Sequence, residues 1–260
     1  MIGLALRQGE IEFKQFARTR ESLVFTLLFP AVILLIFGAI FSGDVAPGVS
    51  FKTYFVAGMI ASGLMSSGFQ NLAITIPIER DRGVLKRFRS TPMPKWVYFG
   101  GKIYQVGVVG FLATVILFGF GTFYGVKLPT TPEKWFTLAW VWVLGLTACT
   151  LLGIAFSAAA RTGRSGPAVV TPIALILQFI SGVFFPFTEL PSWMQQLAAI
   201  FPLKWICQGM RSVFLPDSFA AYEPAGSWEL GKTALILGVW CVVGLLASTF
   251  FFRWTSKREG

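Results

Sequence analysis

Six long apolar blocks limit what this chain can fold into more than any other feature of its sequence. None of them contains Asp, Glu, Lys or Arg, and each has the ~20 residues that a helix needs to cross a bilayer. Prolines inside such helices are tolerated, because neighbouring helices compensate for the lost hydrogen bond. The sequence therefore predicts six transmembrane helices. They cover residues 22–42, 53–76, 103–124, 135–160, 165–188 and 233–252.

The composition agrees with a protein that lies in lipid. Hydrophobic residues make up 55% of the chain and charged residues 13%, which is about half the charged fraction of a soluble domain. Histidine is absent, which excludes imidazole metal ligands and histidine general bases. Cys149, Cys207 and Cys241 stand singly in apolar surroundings and are expected to be buried thiols. We expect neither a metal site nor a catalytic residue in this chain.

The N-terminal residues 1–21 are predicted to form an amphipathic helix. Leu6, Phe13 and Phe16 recur at helical spacing on one side, and charged residues occupy the rest. This pattern is typical of an interfacial helix on the inner leaflet, although a solvated leader has a similar composition. The apolar block that follows is too long for a signal peptide and is expected to be retained.

A second non-spanning segment, residues 188–216, contains two short apolar helices. Each is too short to cross a bilayer, which predicts a re-entrant or interfacial hairpin on the outer side, held against the helical bundle. Its charged residues Glu189, Lys204 and Arg211 are expected to face water or one another.

The distribution of Lys and Arg predicts the orientation. If both termini and residues 77–96 are cytoplasmic, sixteen of the 22 basic residues lie inside, as the positive-inside rule requires. The net charge of +10 then reflects membrane orientation and contact with anionic lipid rather than binding of nucleic acid.

The chain shows no energy source of its own. The absence of ionisable residues from the blocks argues against a proton- or ion-driven carrier. The remaining polar residues, Gln70, Asn71, Gln105 and Gln178, are equally suited to hydrogen bonds between helices. Residues 226–233 fit the phosphate-loop pattern G-x-x-x-x-G-K-T, but bulky residues fill the loop and an apolar block follows. We interpret this match as chance and expect a separate motor protein.

Residues 77–96 form the long polar segment between the second and third blocks and carry six basic residues. Pro77 is expected to end the second span. Glu79 and Asp81 suit the N-terminal end of a short helix, and the basic residues suit its C-terminal end, because of the helix dipole. A lipid-facing basic loop explains the charges but not these boundaries, so docking into a partner's groove is favoured. A small apolar stripe completes the helix: Val84, Leu85 and Phe88.

Two motifs in this chain carry a family resemblance. Residues 79–87 read Glu-Arg-Asp-Arg-Gly-Val-Leu-Lys-Arg, with Thr-Pro at 91–92, and residues 181–186 read Ser-Gly-Val-Phe-Phe-Pro. The second motif continues with Leu190-Pro191, Trp193, Pro202-Leu203 and the region of Arg211. Together they resemble the integral membrane subunits of type-2 ABC exporters, a class that includes daunorubicin-type drug exporters and polysaccharide exporters.

The resemblance implies one half of a transporter. Two such membrane subunits, identical or homologous, pair in the membrane, and two copies of a separate ATP-binding subunit dock beneath them. ATP and Mg belong to that partner, and this chain holds no cofactor. The implied coupling residues are Glu79, Arg80, Asp81, Arg82, Gly83, Val84, Leu85, Lys86, Arg87 and Phe88. The residues of the outer hairpin, implied to cap the substrate path, are Phe185, Pro186, Pro191, Trp193 and Pro202.

The implied substrate path lies between the two membrane subunits, near the second and fifth blocks. Candidate lining residues fall on one helical face of the second block and close together in the fifth. The small residues among them equally suit close helix packing. The candidates are Met59, Ser62, Ser66, Gln70, Gln178 and Phe179.

The leading hypothesis is an all-α integral membrane protein, one transmembrane domain over residues 1–260, in the plasma (inner) membrane of a bacterium. It has six transmembrane helices, an N-terminal interfacial helix, a cytoplasmic coupling helix and a re-entrant outer hairpin. As the membrane subunit of an ATP-driven exporter, it moves an amphipathic drug or lipid-like cargo outward. A polysaccharide or glycolipid exporter is the alternative within the class. An ATP-independent carrier and a lipid-modifying membrane enzyme are alternatives from other classes.

Overall fold

A computed structural model describes residues 2–41, 43–160, 162–252 and 254. Positions 1 and 42 of the predicted segments lie outside the described residues. So do four of the basic residues counted as cytoplasmic: Arg161, Arg253, Lys257 and Arg258. The described part is nearly all helical, as predicted. A short antiparallel hairpin, β1 (Asp44–Ala46) and β2 (Val49–Ser50), was not predicted.

The described residues form ten helices, α1 to α10 in chain order, and two of them contain a π-helical turn. The first five are α1 (Ile2–Arg18), α2 (Arg20–Leu23, the π turn Val24–Leu28, and Phe29–Ile40), α3 (Phe51–Met65, the π turn Ser66–Gln70, and Asn71–Asp81), α4 (Val84–Ser90) and α5 (Lys95–Phe123). The others are α6 (Pro132–Phe156), α7 (Ser165–Ile180), α8 (Ser192–Ile200), α9 (Pro202–Phe214) and α10 (Leu230–Phe251). Short 3-10 helices occupy Phe187–Glu189 and Asp217–Tyr222.

Three helices of the described part are long and apolar enough to cross a bilayer. They are Trp96–Phe123 in α5, Pro132–Phe156 in α6 and Leu230–Phe251 in α10. Two shorter apolar helices, Val24–Ile40 and Ser165–Ile180, correspond to the first and fifth predicted blocks. The arrangement of six spans therefore remains a prediction.

Helix α3 lies at the centre of the fold and extends further than the sequence predicted. In its first part, Phe51–Met65, 13 of 15 residues are buried, against α2, α5, α6 and α9. Pro77, where the second span was predicted to end, lies inside the helix, which continues to Asp81. The surrounding helices support the backbone where the proline removes a hydrogen bond.

The fifth block was predicted to be helical through residue 188, but α7 ends at Ile180. Gly182 follows with φ of +74°, a left-handed conformation that glycine adopts at little cost. The 16 residues of α7 rise only about 24 Å, less than the ~30 Å thickness of a bilayer core. Residues 181–184 are buried turns packed beneath the outer hairpin.

The outer hairpin has the two predicted helices, α8 and α9, but its charges are not where they were expected. All 13 residues of α9 are buried, among them Lys204 and Arg211. These two residues were expected to face water or one another, but Lys204 donates to Gln208 and Arg211 to Glu223, whereas Glu189 is exposed. The mostly exposed α8 packs against α7 and α9, and α9 inserts between α3 and α6.

Candidate functional site

A cleft of about 600 Å³ lies between α2, α3 and α7. Five of the six predicted path residues line it, because they share one face of α3 and the facing side of α7. These five are Met59, Ser62, Ser66, Gln70 and Gln178. The sixth, Phe179, is absent from the lining; it is 43% exposed, and its ring packs on Phe184 at a centroid distance of 4.8 Å.

The wall of the cleft is amphipathic. Ser62 Oγ donates a hydrogen bond to Gln178 Oε1 at 2.8 Å, which joins α3 to α7 across the cleft. Asn71 also lines the cleft, and its amide nitrogen Nδ2 has no hydrogen-bond partner among the described atoms. Among the described lining residues Glu21 carries a charge, eight others carry hydroxyl or amide groups, and nine are apolar. Such a wall fits an apolar body that carries a few polar groups.

The ten predicted coupling residues lie at the end of α3 and in α4, and the structure changes the role of several. Glu79 and Asp81 belong to the last turns of α3, so they do not cap the N-terminus of α4 as predicted. Gly83, with φ of +74°, forms the turn between the two helices. The helix α4 itself begins at Val84.

The apolar stripe of α4 faces its own chain. Leu85 is fully buried, and the half-buried Phe88 meets the Tyr98 ring edge-on at 5.5 Å. Phe88 packs α4 against α5, and the buried Leu85 is not exposed for docking, whereas a docking role of Val84 and Phe88 stays a prediction. The exposed residues of this region are mainly basic: Arg82, Lys86, Arg87 and Arg89.

The end of α3 is tied to the connection between α6 and α7. The buried Arg80 guanidinium donates to the carbonyl oxygens of Ser157 at 3.2 Å and Ala160 at 3.5 Å. The Asp81 carboxylate accepts a hydrogen bond of 2.6 Å from the Gly163 amide. These contacts hold the turn before α4 rigidly against the bundle.

A buried ion cluster, here defined as Glu12, Glu79, Tyr98 and Lys102, was missed by sequence reasoning. Lys102 contacts the Glu12 carboxylate at 2.7 Å and also the carboxylate of Glu79, whose Oε2 accepts a 2.8 Å hydrogen bond from Tyr98. Only 1% of Lys102 and 6% of Glu12 are exposed. Lys102 was counted as a cytoplasmic loop charge because it precedes the third block by one residue.

A second buried charge cluster holds the outer hairpin. Arg211 donates to Glu223 Oε1 at 3.1 Å and to the carbonyl of Gly182 at 2.7 Å, and its guanidinium carbon lies 4.4 Å from the centre of the Tyr54 ring. Nearby, burial lowers the pKa of Lys204 to about 8, although Glu223 and Glu229 oppose the shift. Of the predicted hairpin residues, Phe185, Pro191 and Trp193 are exposed, Pro186 is half-buried and Pro202 is buried.

Metal ligands do not converge in this structure. Within the part of the chain that the structure describes, no group of three or more Cys, Asp or Glu side chains is placed to hold a metal ion. Cys149 and Cys207 are buried free thiols, and Cys241 is half-buried.

Comparison with known proteins agrees with the membrane character of the fold. The family model described as "ABC-2 type transporter" matches residues 9–215. The chain is 25% identical over 213 residues to "Inner membrane transport permease YadH" of Escherichia coli K12, covering 78% of this chain and 80% of the relative. It is 23% identical over 246 residues to "Putative transport permease ycf38" of Cyanophora paradoxa, covering 90% of this chain and 83% of the relative.

Proposed function

Because the chain belongs to the ABC-2 type transporter family, we propose that it is the membrane subunit of an ATP-driven exporter. In this proposal its helices cross the inner membrane six times with both termini in the cytoplasm. Two copies of a separate ATP-binding subunit, which bring ATP and Mg, dock on the cytoplasmic side. A second membrane subunit, identical or homologous, completes the substrate path. The two relatives are named as transport permeases, which supports a role in transport rather than in catalysis.

The observation that carries the proposal is the continuity of α3. One unbroken helical segment lines the cleft with Met59, Ser62, Ser66 and Gln70 and ends at Asp81, beside the basic surface of α4. A push on α4 would pass through the short turn at Gly83 into one helix that extends to the cleft. The internal contacts of Arg80 and Asp81 prevent the push from being absorbed locally.

The cleft favours an amphipathic cargo over a polysaccharide. The apolar half of its lining would bury apolar surface, while the Asn71 amide, the Ser62–Gln178 pair and the other hydroxyl and amide side chains offer hydrogen bonds. A polysaccharide would need many more polar partners to replace its lost hydration. We therefore propose a drug-like or lipid-like cargo that moves outward.

Charge reversal on α4 and in the turn before it is expected to weaken docking of the ATP-binding subunit. Arg82→Glu combined with Arg89→Glu changes two exposed side chains without disturbing the buried Leu85. Association should weaken about tenfold or more, since a loss of ~1.4 kcal/mol has that effect, and the loss should depend on salt. The measurement is the amount of ATP-binding subunit that co-purifies with the tagged chain from its own host.

The matched control for this variant reverses two charges at the predicted outer side, Lys127→Glu with Lys232→Glu, both of which are exposed. The control should retain the ATP-binding subunit. Equal recovery from both double variants would contradict docking at α4. Transport by the purified chain alone, driven by an ion gradient, would instead favour the ATP-independent carrier.

Filling the cleft is expected to stop transport while leaving docking intact. Ser66→Trp places an indole in the cleft. The measurement is export of rhodamine 6G and of a fluorescent short-chain phospholipid from proteoliposomes. Export should fall by an order of magnitude or more, about the effect of losing a well-fitted site. The control, Leu235→Trp, adds the same ring to an exposed position of α10. Export by Ser66→Trp at the level of the control would contradict the cleft as the path.

A further inference from the structure

The ion cluster is not needed to attach α1 to α5. Desolvation of buried charges offsets most of their attraction, and apolar side chains of similar volume commonly give equal or better stability. The two helices already pack closely through glycines: Gly9 lies against the Tyr104 ring, and a Cβ at Gly100 would lie 3.1 Å from Ala5 Cβ. The cluster therefore serves something other than adhesion of these two helices.

What the cluster adds is a connection to the end of α3. Glu79 lies next to Arg80 and Asp81, immediately before the turn into α4. Lys102 contacts Glu79 and Glu12 together, and Tyr98 donates to Glu79, so one buried site joins α1, α3 and α5. Hydrogen bonds among buried charged groups are satisfied in one arrangement and lost when the helices slide, which makes such a site specific in register.

We propose that Glu12, Tyr98 and Lys102 are positioning residues that lock the α1–α5 pair to the end of α3, so that the three helices respond to the motor as one body. The inference rests on the proposed function, since it concerns how a push on α4 is distributed. The glycine-lined contact holds α1 on α5, and the ion cluster transfers movement of α3 to that pair. Loss of the cluster leaves a folded transporter in which ATP hydrolysis is poorly coupled to transport.

The deciding experiment compares coupling in the reconstituted complex with the ATP-binding subunit. The test variant replaces all three charges with apolar groups of similar size: Glu12→Leu, Glu79→Leu and Lys102→Met. The amount of rhodamine 6G exported per ATP hydrolysed should fall about tenfold, a typical size for coupling between sites. A milder variant, Glu12→Gln with Tyr98→Phe, keeps the Lys102–Glu79 pair and should give a partial loss in the same direction.

Matched controls separate coupling from general damage. Glu10→Gln makes the same change at an exposed position of α1 and should leave the export ratio unchanged. Lys102→Arg keeps the positive charge and should retain most of the coupling. A folded triple variant with an unchanged export ratio would overturn the proposal, and if that variant fails to assemble, an unchanged ratio in the milder variant would overturn it equally. If the unmodified chain neither binds nor needs an ATP-hydrolysing partner, that result would instead refute the proposed function.

A distance measurement tests the lock without any cargo. Spin labels on cysteines at the exposed positions Lys14 and Arg89, in a chain whose native cysteines are replaced, report the separation of α1 from α4. The distance distribution should be narrow in the parent and clearly broader in the triple variant. Equal widths in the two proteins would show that the cluster does not fix the register of these helices.

Discussion

Replacing Arg211 with methionine is expected to destabilise the folded protein by about 3–5 kcal/mol, the usual result of removing one partner from a buried ion pair. Arg211 is 1% exposed and Glu223 is 5% exposed, so the substitution leaves a carboxylate buried without its cation. It also removes the hydrogen bond to the carbonyl of Gly182, which ties α9 to the end of α7. The Tyr54 ring loses the guanidinium that stacks on it. The measurement is unfolding of the detergent-purified chain, together with its abundance in the membrane.

An exposed ion pair of similar length provides the control. Lys134 and Asp217 are 3.2 Å apart, but 83% of the Asp217 side chain is exposed. Asp217→Asn should therefore change stability by less than about 1 kcal/mol. The double variant Arg211→Met with Glu223→Leu should recover most of the lost stability, because no buried charge remains unpaired. A loss below about 1 kcal/mol for Arg211→Met alone would contradict the structural role assigned to this cluster.

The long apolar helices were predictable because uncharged windows of twenty residues have few alternatives to crossing lipid. The fourth and sixth blocks agree with α6 and α10 to within a few residues. The third block was predicted to start at residue 103, eight residues after α5 begins, because Lys102 was interpreted as a loop charge although it lies inside α5. Hydropathy marks where a chain is apolar, but it does not mark where a helix ends. For this reason the predicted ends of the fifth and second blocks, residues 188 and 76, differ from the observed helix ends at Ile180 and Asp81.

Five of the predicted path residues line the cleft because they recur at helical spacing. The π turn in α3 keeps them on the same face of the helix. Ser66 and Gln70, four residues apart, flank a wider turn of the backbone and remain on the face that holds Met59 and Ser62. Phe179 does not line the cleft, because adjacent residues of a helix point about 100° apart and Gln178 is the one that faces it.

The buried charges could not be predicted from local pattern. Glu12 and Lys102 are separated by 90 positions in the sequence, and Glu79 and Lys102 by 23. No periodicity links residues so far apart, and a charge beside an apolar block normally indicates the membrane boundary. Their pairing depends on how α1, α3 and α5 meet, which is a property of the tertiary structure alone.

Valine at Gly153 is expected to force α6 away from the π turn of α3 and to destabilise the protein by about 3 kcal/mol or more, the upper range for overpacking. A Cβ at this position would lie 2.8 Å from the Gly68 carbonyl oxygen and 2.9 Å from that of Phe69. Both contacts are backbone atoms, so no side-chain rotation can relieve them.

The contact is reciprocal, since a Cβ at Gly68 would lie 2.9 Å from Cys149 Cβ. Displacement of the π turn would also move Ser66 and Gln70 in the cleft, so thiol labelling of Ser66→Cys should change together with stability. The control is Gly107→Val in α5, where no atom lies within 4 Å of the added carbon. Equal stability of the two valine variants would show that the backbones of α3 and α6 are not in close contact. The π turn of α3 would then not be held by α6, which would weaken the argument that α3 transmits movement from α4 to the cleft.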